Sequence, residues 1–146
     1  MSSNGARPAS VIWFERLWLL SLAVWTIVQA TTWRYREAQL AANPVVDLSA
    51  VMSAGAVAVA AITILLWYFA ARRASQTARW GVVAMAICSG AVLLLFGLVA
   101  MASDAGPPLW VKALSVASSA LTVAAAFMLF RDDARAWFAP EGEMDE

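Results

Sequence analysis

The sequence predicts an all-α membrane protein, an up-down-up-down bundle of four transmembrane helices with both termini in the cytoplasm. Of its 146 residues, 62% are hydrophobic and 14% are charged, and the mean hydropathy is +0.71. A typical soluble domain is about half apolar and about a quarter charged. The charged residues leave four uncharged stretches, each near the roughly 20 residues that a helix needs to cross a bilayer. Lys and Arg are also unequally distributed among the connections between these stretches.

The uncharged stretches are 17, 24, 24 and 18 residues long, and they comprise residues 17–33, 48–71, 80–103 and 113–130. The first is short, but Arg16 and Arg34 flank it, and an arginine stem can lie along the helix while its head reaches the headgroup layer. The second and third would each extend about 36 Å at 1.5 Å per residue. We expect a membrane domain at 11–138 with helices at about 11–34, 47–71, 78–103 and 109–131, between a flexible N-terminus at 1–10 and a disordered acidic tail at 139–146.

The connections between the predicted helices are short, which favours antiparallel neighbours. If the N-terminus is cytoplasmic, seven Lys and Arg residues lie on the inner side and three on the outer side. The inner residues are Arg7, Arg16, Arg72, Arg73, Arg79, Arg131 and Arg135, and the outer residues are Arg34, Arg36 and Lys112. Because cytoplasmic loops carry the excess of positive charge, this distribution predicts both termini inside.

Small residues at helical spacing predict close helix packing, which drives association in lipid. The second span carries Ala50, Ala54 and Ala58 at four-residue intervals. The third contributes Ala86 and Gly90. The fourth carries the pairs Ala113 and Ala117, Ser115 and Ser119, and Ala120 and Ala124. We interpret these residues as contacts within one bundle; contacts with a second copy or with a partner subunit are the alternative.

Few ionisable residues lie near the predicted membrane interior. Glu15 enters the first helix by about one turn, and we expect it to pair with Arg16, or across the bundle with Arg72 or Arg79. The alternative is a proton or cation site, which would require burial deep enough to raise the carboxyl pKa. Asp47 directly precedes the second span and is expected to be its N-cap.

Trp18, Ser21, Trp25 and Gln29 form a polar and aromatic stripe on the first helix. We expect these residues to form interhelical hydrogen bonds, which contribute roughly 1 kcal/mol each in membranes. The alternative is a pocket in which the aromatic faces and one amide hold a flat apolar ligand such as a quinone, a pigment or a lipid tail. Cys88, midway along the third span, is expected to be a small buried residue.

The inner ends of the second and fourth spans repeat a pattern in which an aromatic group is followed by Ala-Arg and a tryptophan. The residues that carry the pattern are Arg73, Arg79 and Trp80 in one hairpin and Arg135 and Trp137 in the other. Tryptophan and arginine at these positions are typical of a membrane interface. A specific site for an anionic lipid headgroup or a partner protein is the alternative.

Three short stretches resemble a family of small, uncharacterised bacterial inner-membrane proteins with four spanning helices. They are Arg7-Pro-Ala-Ser-Val11, Gln76-Thr-Ala-Arg-Trp80, and Met128-Leu-Phe130 together with Arg135-Ala-Trp-Phe138. The family has Asn-Trp where this chain has Gln76-Thr77. The resemblance covers nearly the whole chain and implies four spans in a bacterial cytoplasmic membrane, but it implies no activity.

The residue inventory favours a non-enzymatic role. Histidine is absent and there is one cysteine, which excludes histidine-based zinc sites and Ser-His-Asp or Cys-His catalysis. The adjacent carboxylates Asp132 and Asp133 diverge by about 100° on a helix and would not grip one metal together. We expect no cofactor, no nucleic-acid partner, and contact with membrane lipids. The leading hypothesis is a structural or accessory subunit or a homo-oligomer; the alternative is a small transporter or channel for an apolar or cationic compound.

Overall fold

The computed structural model describes residues 7–40, 48–97 and 107–138, and within these ranges every regular element is helical. The elements are α1 (Ala9–Leu40), α2 (Leu48–Arg73), α3 (Gln76–Val92), a π-helical turn π1 (Leu93–Gly97), α4 (Leu109–Met128) and α5 (Asp132–Phe138). Four segments are long and apolar enough to cross a membrane, namely Ala9–Arg34, Ser49–Arg73, Gln76–Leu95 and Leu109–Met128. The prediction of an all-helical chain with four such helices is therefore confirmed.

Helix α1 is longer than predicted at both ends. It begins at Ala9, where the Pro8 carbonyl accepts the N–H groups of Val11 and Ile12 at 3.1 and 3.2 Å. It continues to Leu40 because the residues after Arg34 include good helix formers such as Arg, Glu, Ala and Gln. Its 32 residues extend about 48 Å, which exceeds the roughly 30 Å of a hydrocarbon core. A helix of this length reaches beyond the hydrocarbon.

A two-residue turn joins α2 to α3. Ala74 adopts a left-handed backbone conformation with φ of 48°, and the Ser75 N–H donates to the Phe69 carbonyl at 3.1 Å. The Ser75 hydroxyl then accepts the N–H of Ala78 at 3.3 Å as the N-cap of α3. The chain therefore reverses in a few residues, as the short predicted connection requires.

The fourth predicted helix ends three residues early, and a separate short helix follows it. Helix α4 ends at Met128 rather than at 131, because the N–H groups of Leu129 and Phe130 each bond a carbonyl three residues back at 3.1 Å. The chain then starts α5, with Asp132 and Asp133 in its first turn, where carboxylates interact favourably with the helix dipole. The expected Asp47 cap, the third helix beyond residue 97, and the tail at 139–146 lie outside the described residues.

The buried apolar core lies where the first turns of α1 and α3 meet the last turns of α2 and α4. Helix α1 packs against α2, α4 and α5, and α3 packs against α2 and α4. The largest fully buried side chains of the core are Trp18, Phe14, Leu129, Val11 and Val82. Helix α5 closes this end of the bundle with Ala134 and Phe138.

The two ends of the described chain are joined by a capping hydrogen bond. The Ser10 N–H lies in the first turn of α1, where N–H groups have no carbonyl partner within the helix. It donates instead to Asp133 Oδ2 of α5 at 3.0 Å. This bond lowers the pKa of the Asp133 carboxyl, and the nearby Arg131 guanidinium lowers it further. The first turn of α1 and helix α5 are therefore neighbours, although 123 residues separate the two partners.

The small residues in the first half of α2 that are expected to pack inside the bundle do not do so. Ala50, Ala54 and Ala58 are all exposed, and a Cβ added to Gly55 would meet no atom within 4 Å. The interpretation of these residues as contacts within one bundle is wrong, because the inner face of α2 is formed by other residues such as Thr63. In contrast, Ala86 of α3 is buried as expected.

Candidate functional site

A cavity of about 490 Å³ lies among α1, α2, α3 and α4, on the side of Trp18 away from the buried core. This volume falls within the roughly 300–1,000 Å³ of small-molecule sites in proteins. Hydroxyl, thiol and amide side chains line it together with tryptophan and aliphatic groups. Such a set of polar groups in the middle of four apolar helices makes this cavity the first candidate for a functional site.

The polar and aromatic stripe of α1 forms one wall of the cavity. Trp18, Ser21, Trp25 and Gln29 all line it. The Trp18 indole N–H donates to the Thr63 carbonyl of α2 at 3.0 Å, and the Ser21 hydroxyl donates to the Trp18 carbonyl at 2.8 Å. Of these two bonds, that of Trp18 joins two helices as expected, whereas that of Ser21 lies within α1.

Gln29 and Trp25 differ from the other two stripe residues. Both are half-buried, and within residues 7–40, 48–97 and 107–138 neither the Gln29 amide group nor the Trp25 indole N–H has a hydrogen-bond partner. Three polar hydrogens on one wall of the cavity are therefore available to another molecule.

The facing walls carry hydroxyl groups that bond to backbone carbonyls. Ser118 of α4 donates to the Ser21 carbonyl of α1 at 3.0 Å, and Thr122 donates to the Ser118 carbonyl at 3.0 Å. Thr63 of α2 donates to the Val59 carbonyl at 2.7 Å. Because each hydroxyl hydrogen is bonded to a carbonyl, these groups present mainly oxygen lone pairs to the cavity.

The sequence pattern indicates Ser115 and Ser119 as packing residues of the fourth span, but it does not indicate that α4 lines a cavity. Four α4 residues at helical spacing line the cavity, namely Ser115, Ser118, Ser119 and Thr122. Their spacing of three and four residues is the signal that places them on one helix face. Cys88 also lines the cavity and is exposed, so the prediction that it is buried is wrong. Small side chains leave the space that exposes it.

Arg36 lies at the other end of the cavity lining from Trp18. It is half-buried, and in the part of the chain that the structure describes it forms no ion pair or hydrogen bond. The next charged residue, Glu37, is exposed. The cavity is therefore bounded at this end by a cation that has no carboxylate partner among the described residues.

Glu15 forms two ion pairs near the start of α1. Its carboxylate lies 2.7 Å from Arg7 and 3.1 Å from Arg72 of α2, and its side chain is 16% exposed. The expected pairing with Arg72 is confirmed, whereas the expected partners Arg16 and Arg79 instead lie against aromatic rings. Glu15 thus joins the segment before α1 to the end of α2.

The structure brings together only part of the predicted arginine and tryptophan rim. Arg79 lies 4.6 Å from the centre of the Phe130 ring, and Trp80 contacts the same ring edge-on at 6.3 Å. Arg135 points to the surface and pairs with Asp132 at 3.6 Å, and Arg73 is exposed. Trp137 is half-buried against the core.

Three donors at the rim are buried without a hydrogen-bond partner among the described residues: Arg79 Nε and the indole nitrogens of Trp67 and Trp137. Arg79 also lies 5.5 Å from the centre of the Phe138 ring, so two aromatic faces enclose its guanidinium. Cation–π contacts of this kind contribute about 0.5–2 kcal/mol. Through Arg79, α3 therefore contacts Phe130, which follows α4, and Phe138, the last residue of α5.

Comparison with protein-family models, with curated proteins and with solved structures finds no match to this chain. In the described part of the chain, no three His, Cys, Asp or Glu residues are grouped so that they could hold a metal ion. The features from which function can be inferred are therefore the intramembrane cavity, the outer face of α2 and the distribution of charge at the helix ends.

Proposed function

We propose that this chain is a non-enzymatic, multi-pass protein of a bacterial inner membrane that acts through lateral association of α2, as a homo-oligomer or as an accessory subunit of a larger membrane complex. One observation carries the proposal. The membrane-spanning part of α2 has the highest mean hydropathy of the four, 2.2, yet 6% of it is buried, against 17–28% for the other three. The helix best suited to a membrane is thus the one least covered by its own bundle.

The outer face of α2 has the chemistry of a helix–helix interface. Ala50, Ala54 and Ala58 follow one another at four-residue intervals on it, and all are exposed. Small residues at this spacing allow two helix backbones to approach closely, and dispersion contacts then drive association in lipid. A second copy of the chain, or a partner helix with the same small-residue pattern, fits this face.

The membrane topology that we propose is up-down-up-down, with both termini in the cytoplasm. Its support comes from contacts between residues at the helix ends: Ser10 with Asp133, and Glu15 with Arg72. The excess of Arg on the proposed inner side supports the orientation. The interfacial motifs shared with small bacterial four-helix proteins support the assignment to a bacterial inner membrane.

The ion pairs of Glu15 favour this role over the alternative of a small transporter or channel. Proton-coupled transport requires an intramembrane carboxyl whose pKa is raised by burial. The Glu15 carboxylate instead forms two ion pairs, with Arg7 at 2.7 Å and with Arg72 at 3.1 Å. We therefore assign Glu15 a structural role.

Light scattering after purification in a mild detergent tests the association. We expect the wild-type protein to have the mass of two or more 15.6-kDa chains, or of a complex with another protein. The double variant Ala54→Leu/Ala58→Leu should shift the protein to the monomer mass. The matched control Ala84→Leu/Ala91→Leu, which adds the same volume at two exposed positions of α3, should not. A wild-type protein that purifies as a stable monomer with no other protein would contradict the proposal.

A further inference from the structure

The intramembrane cavity is elongated along α1. Its lining on this helix runs from Trp18 to Arg36, which are 18 positions apart and therefore about 27 Å apart along the helix axis. This distance is close to the roughly 30 Å thickness of a hydrocarbon core. An occupant that fills such a space is long and narrow, and it lies nearly parallel to the helices.

The unpartnered N–H groups on the α1 wall of the cavity call for hydrogen-bond acceptors on the occupant. They are the Gln29 amide hydrogens and the Trp25 N–H, beside one unpartnered acceptor, Gln29 Oε1, and Arg36 adds a cation with five further N–H donors. Gln29 and Arg36 lie in the half of the cavity toward the end of α1, and Trp25 lies near the middle. An anionic, acceptor-rich head would accept hydrogen bonds from these donors, and bonds that involve a charged group are the stronger ones.

The other half of the cavity is suited to an apolar chain. Trp18 and Leu22 of α1, Val59 of α2, and Met85 of α3 contribute apolar surface, and the Thr63 hydroxyl is bonded to the Val59 carbonyl. An aliphatic chain makes dispersion contacts with such walls and needs no hydrogen bonds.

We propose that this cavity binds one single-chain anionic amphiphile, with its acidic head at Arg36 and Gln29 and its aliphatic chain directed toward Trp18. A free fatty acid and the acyl chain of an anionic phospholipid share this chemistry. The site does not depend on the lateral association of α2, because Ala50, Ala54 and Ala58 do not line the cavity. The bundle then has a ligand site between its helices as well as a partner surface on α2.

Cys88 provides a direct assay, because it lines the cavity and is the one cysteine of the chain. The protein in nanodiscs of neutral phosphatidylcholine is treated with N-ethylmaleimide, and intact-mass spectrometry gives the alkylation rate. We expect palmitate to slow alkylation at least fivefold and saturably, and uncharged methyl palmitate to have little effect. If phosphatidylglycerol also protects Cys88, phospholipid is a source of the chain; if palmitate alone protects, the ligand is a free fatty acid.

Matched variants test the position of the head group. Arg36→Gln should raise the palmitate concentration for half-protection about tenfold, whereas Arg34→Gln, two residues earlier and exposed, should leave it unchanged. In native mass spectrometry with added palmitate, one adduct per chain should persist in Ala120→Leu, an exposed position of α4, and be lost in the cavity-filling variant Ser119→Leu. Equal protection by palmitate and its methyl ester, no protection by any probe, or equal effects of the two members of either variant pair would overturn the proposal.

Discussion

The contact between Gly81 of α3 and Leu66 of α2 gives a quantitative test of how these helices pack. A Cβ placed on Gly81 would lie 2.6 Å from Leu66 Cδ2, whereas its next contact, with Leu66 Cγ, would be at 3.8 Å. Carbon atoms pack best at about 3.5–4.0 Å, so one methyl group would have to move by about 1 Å. We therefore expect Gly81→Ala to force Leu66 away from its preferred rotamer.

The expected change in the free energy of unfolding follows from two opposing effects. Moving Leu66 off its rotamer costs about 0.5–1.5 kcal/mol, and alanine stabilises a helix by about 0.8–1.0 kcal/mol relative to glycine. At Gly90 of the same helix, an added Cβ would meet Val123 Cγ2 at an ordinary 3.9 Å, so only the helix effect applies. Gly81→Ala should therefore be less stable than Gly90→Ala by about 1 kcal/mol.

The assay is reversible unfolding in mixed micelles of dodecyl maltoside and SDS, followed by tryptophan fluorescence. In a Leu66→Ala background the clash is absent, and Gly81→Ala should then stabilise the protein as much as Gly90→Ala does. This double-mutant cycle isolates the contact from the general effect of alanine. The inferred close contact between α2 and α3 is wrong if Gly81→Ala and Gly90→Ala stabilise the protein equally, both in the wild-type background and in the Leu66→Ala background.

Three further predictions concern the helix ends. The lowered pKa of Asp133 means that its capping bond stabilises the fold fully above the ordinary pKa of 3.8 and less as the pH falls below that value. Asp133→Asn should therefore lower the melting temperature at pH 7 and make the melting temperature depend less on pH in acid. Asp132→Asn, at a position without this bond, should do neither. Ala74→Gly should stabilise the protein by about 0.5–1 kcal/mol, measured as a higher unfolding midpoint, because glycine adopts the left-handed conformation without steric cost. Glu15→Gln should destabilise by about 1 kcal/mol, since its arginine partners are partly exposed, and the exposed Glu37→Gln should change the unfolding midpoint little.

The four helices could be predicted from the sequence because long uncharged stretches are a strong signal in a chain with few charges. The exact ends of these helices could not be predicted. Helix α1 continues to Leu40 on polar residues that form helices well in water, and hydropathy does not register them. The left-handed Ala74 carries no glycine signal, and the Asp133 cap joins residues 123 positions apart. Such features depend on tertiary contacts.

The candidate cavity was predicted in part. The stripe from Trp18 to Gln29 was identified because four polar or aromatic residues share one face of α1. The burial of α2 could not be predicted, because the lipid-facing and bundle-facing sides of a membrane helix are both apolar. For the same reason, the alanines at 50, 54 and 58 do not reveal from the sequence whether they face the bundle or the lipid.

Reporter fusions at the two termini test most directly whether the chain crosses an inner membrane four times. A reporter active only in the cytoplasm and one active only outside it are fused in turn to each end of the full chain and expressed in bacteria. We predict that the cytoplasmic reporter is active at both ends, that the external reporter is inactive at both, and that the fusions sediment with the membranes. Signals from opposite faces at the two ends, or fusions that stay in the supernatant, would contradict the four-span bundle.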